Sequence, residues 1–188
     1  EAPPVRGSYT PAAMLKPKDG GVEGFKKRLI FHKQQFALGV GCARGADADE
    51  LRELVLNSLS DAWVAQDSIA SVNSIGLKAD EPAILELAEY LGVPARFFTA
   101  AEWEAETPRL ATPSDVVFAE VGCHGVSEGA ALAAVGPDGE LGITKRKTKN
   151  CTMALAYAPD GITEHNGQAR GRLSIIGIGP GQSSWRTP

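Results

Sequence analysis

Apolar and polar positions along the chain alternate between the period of a strand and the period of a helix. A continuous apolar run at 36–40 predicts a buried strand. The Gly-rich stretch 39–45 (GVGCARG) follows it. Asp47 can then cap a helix whose apolar positions are three and four residues apart, at Leu51, Leu54, Val55 and Leu59. This part of the chain is therefore predicted to be a strand, a Gly-rich loop and an amphipathic helix.

A second strand–loop–helix unit follows the first. Residues 72–77 are β-prone, and residues 78–82 form a turn in which Pro82 suits the first helical position. A helical apolar pattern at 84–91 then ends at Gly92, a residue that commonly follows the last turn of a helix. Two such units in series favour an α/β fold.

The remaining pattern completes one domain. A third strand is predicted at 95–98, after which Thr99 and Glu102 form a capping box. Helices are predicted at 112–121 and 127–135, a turn at 136–139, and strands at 141–143 and 151–157. Because only the short loop 144–150 joins the last two strands, they are predicted to be antiparallel. We therefore predict a single α/β domain at about 29–157, with helices flanking a mostly parallel sheet that contains one antiparallel hairpin.

The two ends of the chain differ from this core. Residues 1–28 are rich in proline and carry a basic triplet, which is typical of a linker. Residues 158–171 are polar and Gly-rich, and are also predicted to be a linker. An apolar strand and a Gly-rich turn follow without a helix, so residues 172–188 are predicted to begin a second domain that is truncated.

Composition and charge exclude several classes of protein. The 188 residues are 43% hydrophobic and 22% charged, as in globular domains. No apolar run approaches the ~18 residues of a membrane span, and the first residues lack the layout of a signal peptide. We expect a soluble, cytoplasmic protein with no membrane partner. The net charge of −4 gives no general attraction for nucleic acid, and the three cysteines lack the spacing of a disulfide framework or a metal site.

Two loops carry the first candidate chemistry. In 39–45, backbone amides, Cys42 and Arg44 follow a strand and precede a helix, where a carboxylate-bearing ligand is favoured. The alternative is that the glycines only make a tight turn. In 78–82, Asp80 or Glu81 is a candidate general base, or simply the N-cap of the next helix.

Two further segments are rich in polar groups. The stretch 122–128 (GCHGVSE) is a candidate anion site at a helix N-terminus, with Ser127 as helix cap the alternative. Cys123 and His124 are adjacent, so they do not form a facing nucleophile pair. The basic run 145–149 is either a solvated turn or a landing site for a small ligand with many carboxylates; RNA is disfavoured because no aromatics are interleaved.

Four segments occur in the order found in one known family. They are GVGCARG at 39–45, LKADEPAILELAEYLGVPARFFTAAEW at 77–103, VGCHGVSEGAAL at 121–132 and KRKTKNCTMALA at 145–156. Together they resemble the C-terminal domain of the CbiG/CobE family of cobalamin-biosynthesis proteins. Longer members of that family are cobalt-precorrin-5A hydrolases, which open a δ-lactone on the contracted macrocycle and release a two-carbon aldehyde. The resemblance implies an acidic tetrapyrrole, a precorrin or cobalt-precorrin, as partner, and a role around ring contraction.

The resemblance also implies roles for individual residues. Opening a lactone needs a base, which would be Asp80 or Glu81, and an oxyanion stabiliser, which would be the amides near 123–128. The expected substrate-binding residues are Gly41, Cys42, Arg44, Gly45, Lys78, Gly122, Ser127, Glu128, Lys145 and Lys147. The alternative is a domain that binds or hands over the tetrapyrrole without catalysing a reaction.

Residues 172–188 carry a second resemblance. They are similar to the opening strand and Gly-rich turn of tetrapyrrole methyltransferases, particularly the precorrin-3B C(17)-methyltransferase type. This implies a fusion protein whose methyltransferase partner binds S-adenosylmethionine, with Gly177, Gly179, Pro180 and Gly181 in the cofactor turn. The fragment itself is too short to build that cleft, so no cofactor is expected for it.

Overall fold

The computed structural model describes residues 32–111 and 126–170. Its six strands are β1 (Phe36–Cys42), β2 (Ile69–Ile75), β3 (Ala95–Phe98), β4 (Glu140–Lys147), β5 (Cys151–Tyr157) and β6 (Gln168–Ala169). Its four α-helices are α1 (Ala48–Asp61), α2 (Pro82–Leu91), α3 (Ala100–Glu104) and α4 (Val126–Val135). The helix predicted at 112–121 and the strand and turn predicted in 172–188 lie outside the described residues.

The strands form one sheet in the order β4–β5–β1–β2–β3–β6. The pairs β1–β2 and β2–β3 are parallel, whereas β1–β5, β4–β5 and β3–β6 are antiparallel. The α/β class, the single domain and the antiparallel hairpin are thus confirmed, but the sheet is mixed rather than mostly parallel. The difference arises because β5 pairs with β1, and because β6, inside the predicted linker 158–171, adds a strand beside β3.

The helices α1 and α2 cover one face of the sheet and build the main core. Leu51, Val55 and Leu59 of α1 are buried against apolar side chains of β1 and β5. The Asp47 side chain caps α1 by accepting a hydrogen bond from Asp49 N at 3.0 Å. The predicted end of α2 is also confirmed, since Gly92 has a left-handed φ of 66°. Within the described ranges, no helix is long and apolar enough to cross a membrane.

The opposite face is covered by α4, which lies very close to β1. A Cβ atom added at Gly39 would lie 1.9 Å from Ser127 O, and one added at Gly41 would lie 2.8 Å from Val126 Cγ1. On the outer side of α4, the Trp103 indole from α3 packs on Gly129 in the same way. Small residues therefore set the helix–sheet distance, since any side chain in these positions would force α4 away.

The hairpin β4–β5 corrects one boundary. The loop predicted at 144–150 is shorter, because β4 continues to Lys147 and only Thr148–Asn150 form the turn. Among the described strands β4 lies at the end of the sheet and pairs only with β5, with register shifts between Leu141 and Arg146. An edge strand tolerates long charged side chains because they reach solvent, so a basic sequence did not end the strand.

Candidate functional site

Three turns meet at one edge of the sheet. Because β1 and β2 are parallel and β5 is antiparallel to β1, the carboxyl ends of β1 and β2 lie beside the β4–β5 turn. Ala43 N, just after β1, donates a hydrogen bond to Asn150 O in that turn at 2.8 Å. The first residue of α4, Val126, packs on Gly41 at the same edge, and the preceding residues 122–125, Gly122 included, are outside the described residues. Ligands of open α/β sheets commonly bind in such a crevice.

The loops after β1 and β2 bring together four charged residues, which we call the βα-loop cluster: Arg44, Lys78, Asp80 and Glu81. Arg44 Nη1 donates to Asp80 Oδ1 at 2.8 Å, and Arg44 Nη2 donates to Leu77 O at 3.2 Å. The Arg44 and Asp80 side chains are 62% and 73% exposed. This pair joins the two loops, yet it remains open to solvent and to a ligand.

Glu81 lies beneath that pair and is fully buried. Its Oε1 accepts a hydrogen bond from Gly45 N at 2.8 Å, and Gly45 can offer this amide because it adopts a left-handed φ of 68°. Its Oε2 lies 3.6 Å from Arg44 Nη1 and 3.9 Å from Lys78 Nζ and has no hydrogen-bond partner among the described residues. Glu81 therefore positions both loops and keeps one buried carboxylate oxygen directed at two cations.

The two predicted bases, Asp80 and Glu81, differ in their surroundings. The hydrogen bond from Arg44 lowers the pKa of Asp80, which is opposite to the raised pKa that a base working near neutral pH requires. Burial raises the pKa of the Cys42 thiol, Glu81 adds to that effect, and Lys78 and Arg44 oppose it. Of the groups predicted to be catalytic, Glu81 has the burial that general acid–base chemistry needs, and Asp80 does not.

The two predicted residues of α4, Ser127 and Glu128, are both buried. Ser127 lies inside the first turn of α4 and is completely buried, and its Oγ has no hydrogen-bond partner in the described part of the chain. Glu128 is buried as well, but its Oε2 accepts from Ala111 N at 3.0 Å and its Oε1 from Lys145 N at 2.8 Å. Glu128 thus joins α4 to β4 and to Ala111, in the segment that follows α3. These contacts account for its burial without a ligand.

The basic residues 145–147 lie on β4 and differ in their contacts. Arg146 is paired with Asp61 of α1 at 2.7 Å. Lys147 is exposed and Lys145 is half-buried, and within the described ranges neither has a carboxylate oxygen within 4.0 Å. The following turn is held by Glu50 of α1, which accepts hydrogen bonds from Thr148, from Asn150 N at 3.0 Å and from Asn150 Nδ2 at 2.9 Å. The hairpin therefore presents two lysines beside a rigid turn.

This geometry is accompanied by a sequence match that decides the family. Residues 36–156 match the family described as Cobalamin synthesis G C-terminus, and they include β1 through β5 and the βα-loop cluster. The chain belongs to this family. Membership in the Cobalamin synthesis G C-terminus family gives the chain a role in cobalamin biosynthesis.

Relatives of this family member extend the match. Protein CobE of a Sinorhizobium species is 47% identical over 119 residues, which are 63% of this chain and 77% of that protein. A cobalt-precorrin-5A hydrolase of Priestia megaterium is 31% identical over 131 residues, which are 70% of this chain and only 34% of the hydrolase. The solved structure of CobE superposes with a TM-score of 0.62 at 34% identity and covers 66% of this chain and 93% of CobE. The chain thus spans about a third of the hydrolase.

Two features of this family member were missed from the sequence. No local pattern marks Glu50, although hydrogen bonds from Thr148 and Asn150 lower its pKa and hold the hairpin turn. A groove of about 460 Å³ between α1 and β4 is also new, with Glu53, Leu54, Arg146 and Lys147 among its lining. Both features depend on contacts between residues about 100 positions apart in the chain, and the local sequence pattern does not predict such contacts. In the described residues, no group of three or more His, Cys, Asp or Glu side chains could hold a metal.

Proposed function

We propose that this domain binds an acidic tetrapyrrole of the cobalamin pathway, a precorrin or cobalt-precorrin, by gripping its carboxylate arms at the edge where the three turns meet. The observation that carries the proposal is the exposed guanidinium of Arg44. It is held in place from below by Glu81 and from the side by Asp80, at 3.6 Å and 2.8 Å. Family membership supports the choice of a tetrapyrrole over other polycarboxylates.

The pair of Arg44 and Asp80 is suited to exchange. Both side chains are more than half exposed, and an ion pair this exposed contributes little to stability because water and salt screen it. A ligand carboxylate that approaches from solvent can therefore take the position of Asp80 on the guanidinium at little cost. Arg44 can hold such a group with two parallel hydrogen bonds, which fixes its orientation as well as its position. In this proposal Asp80 is a stand-in for the ligand carboxylate and not a catalytic base.

The hairpin supplies the second set of contacts. Lys145, Lys147 and Lys149 lie within five residues, and the turn that follows β4 is joined to the loop of Arg44 through Ala43 and Asn150. A ligand with several carboxylates can reach cations on both turns, whereas a ligand with one carboxylate reaches only one of them. The net charge of the chain is −4, so this attraction is local and should weaken as salt increases.

The direct test is titration of the full chain with cobyrinic acid, monitored by the absorbance of the corrin. We expect binding that weakens between low and physiological salt, and Arg44→Ala to weaken it by about tenfold, corresponding to about 1.4 kcal/mol for a charged hydrogen bond. Arg52→Ala is the matched control because Arg52 is also half-exposed and paired with an aspartate, Asp49, but lies on α1. Binding that neither salt nor Arg44→Ala changes would contradict the proposal.

A second candidate is lactone opening, and the buried Glu81 favours it. A carboxylate that is screened from solvent and has one oxygen without a hydrogen-bond partner has the environment of a general base for an attacking water. Its test is release of a two-carbon aldehyde from a cobalt-precorrin-5A by the full chain. We expect Glu81→Gln to abolish release and Asp80→Asn to preserve it. Loss with Asp80→Asn and not with Glu81→Gln would overturn this assignment.

The resemblance of residues 172–188 to a tetrapyrrole methyltransferase supports a related proposal. If the parent protein is a fusion of the two modules, the present domain hands its bound tetrapyrrole to the methyltransferase, which brings S-adenosylmethionine. In that parent, deleting 29–157 is expected to leave methylation of added substrate intact and to slow consumption of substrate that the domain would deliver. Equal rates with and without 29–157 would contradict a transfer role.

A further inference from the structure

We propose that Cys42 and Cys151 are a dithiol site that closes to a reversible disulfide between the end of β1 and the start of β5. The two residues are direct partners in the antiparallel ladder of these strands. Neither is part of a disulfide in this structure. The proposal does not depend on the tetrapyrrole ligand, because it follows from the register of the sheet.

The hydrogen-bond pattern of the ladder sets the distance between the two residues. Residues that face each other across antiparallel strands alternate between hydrogen-bonded and non-hydrogen-bonded pairs. The next pair, Ala43 and Asn150, is hydrogen-bonded, since Ala43 N donates to Asn150 O at 2.8 Å. Cys42 and Cys151 are therefore a non-hydrogen-bonded pair, whose Cα atoms are typically about 4.5 Å apart. That separation lies inside the ~4.4–6.8 Å range of disulfide-linked cysteines.

The two thiols also lie on the same side of the sheet. Cys151 is buried in the core beneath α1, and Cys42 packs against the same core while remaining partly accessible. Burial raises the pKa of the Cys151 thiol to about 11, and the nearby Glu50 and Cys42 add to this rise. Both thiols are thus mostly protonated at neutral pH, and an oxidant from solvent reaches Cys42 first.

A small-molecule disulfide such as oxidised glutathione completes the chemistry. The Cys42 thiolate attacks one glutathione sulfur, the glutathione S–S bond breaks, and one glutathione thiolate leaves. Cys151 then gives its proton to solvent and attacks the Cys42 sulfur of the mixed disulfide, and the second glutathione leaves. The two protein thiols are oxidised by two electrons, and the small disulfide is reduced to two thiols. The buried Cys151 is the resolving thiol because it lies directly opposite Cys42 in the ladder.

The test uses the full chain with Cys123→Ser, so that only the two proposed thiols remain. After incubation with oxidised glutathione at pH 8.5, the protein is alkylated in denaturant and its mass is measured. We expect both alkylation sites to disappear without any bound glutathione, and to return after dithiothreitol. We also expect the melting temperature of the oxidised protein to rise by about 5 °C or more, because the bond closes a loop of roughly 100 residues.

The matched control is Cys42→Ser combined with Cys123→Ser. It leaves the buried Cys151 in place, and its single thiol should show neither the loss of alkylation nor the rise in melting temperature. Two thiols that stay open to alkylation would overturn the proposal. So would a stable glutathione adduct on Cys42, or a disulfide formed only between two molecules.

Discussion

The two halves of the stretch 39–45 do different things in the fold. Its first half, with Gly39 and Gly41, lies flat under α4, where an added Cβ would meet the backbone or side chains of the helix. Its second half, with Arg44 and Gly45, leaves the sheet and holds the charged groups of the next loop. One Gly-rich motif therefore contains a packing seam, Gly39 and Gly41, and a charged loop, and only side chains in the loop can be changed without moving α4.

This comparison shows why glycines after a strand are weak indicators of a ligand. Gly41 was predicted to bind substrate, but its contacts with Val126 and Thr152 explain its lack of a side chain by themselves. Gly45 owes its place to a left-handed φ, which lets its amide reach Glu81. Charged side chains make the contacts between the loops at this edge, and the glycines make that arrangement possible.

The largest expected effect is in the packing seam. Gly39→Ala would place a Cβ 1.9 Å from Ser127 O and 2.7 Å from Ala131 N, both rigid backbone atoms of α4. We expect the free energy of unfolding to fall by about 3 kcal/mol in urea denaturation, because the helix must shift outward. Gly142→Ala is the control, since its Cβ would lie 3.7 Å from Leu155 O, an ordinary contact distance, and it should change stability by no more than about 0.5 kcal/mol. Equal losses of stability in the two variants would contradict the claim that Gly39 is required for the close approach of α4 to β1.

The next effect separates the two buried glutamates. In Glu128→Gln, one backbone amide loses its acceptor because both carboxylate oxygens are used, so we expect a loss of about 1–3 kcal/mol in unfolding free energy. In Glu81→Gln, the hydrogen bond from Gly45 can persist, and Arg44 and Lys78 can turn to solvent, so a loss of no more than about 1 kcal/mol is expected. The reverse order in chemical denaturation would mean that Glu81 is the structural carboxylate and Glu128 the adaptable one.

A smaller effect concerns the hairpin. Lys147→Ala is expected to weaken binding of cobyrinic acid about threefold at low salt and less at high salt, because an exposed cation acts through a screened field. Arg146→Ala is its neighbour control, since Arg146 is already paired with Asp61. Isothermal titration at two salt concentrations measures both. A larger loss for Arg146→Ala would show that the ligand approaches from the α1 side of β4.

The smallest effect is a pH dependence at Glu50. The pKa of Glu50 is lowered chiefly by the hydrogen bond from Thr148. The charged carboxylate therefore stabilises the fold at pH values above 4.5, the ordinary pKa of the group. That contribution is lost as pH falls through the lowered pKa of the folded protein. Glu50→Gln should therefore melt slightly below the wild type at pH 7, and the difference should shrink as pH falls below about 4.5. A difference that grows on acidification would show that the charge of Glu50 does not hold the turn.

Local signals predicted much of the fold, and long-range pairing set the rest. The cap of α1 at Asp47, the end of α2 at Gly92 and the capping box of Thr99 and Glu102 follow from residues within one helical turn, and all three are present. The length of β4 and the pairing of β6 with β3 were not predicted, because an edge strand carries no regular apolar pattern.

The site followed the same division. Arg44, Asp80 and Glu81 could be proposed because each follows a predicted strand, and parallel strands bring such loops together. The different roles of Asp80 and Glu81 could not be predicted, because they depend on which of the two carboxylates is buried. The facing of Cys42 and Cys151, 109 residues apart, likewise required the register of β1 against β5.

The most direct measurement is the affinity of Asp80→Asn for cobyrinic acid, set beside that of the unaltered chain at low salt. If Asp80 holds the place of a ligand carboxylate on Arg44, the variant frees the guanidinium and removes a negative charge, and it should bind about two- to fivefold more tightly. Weaker binding by Asp80→Asn, with the fold intact by circular dichroism, would contradict the account.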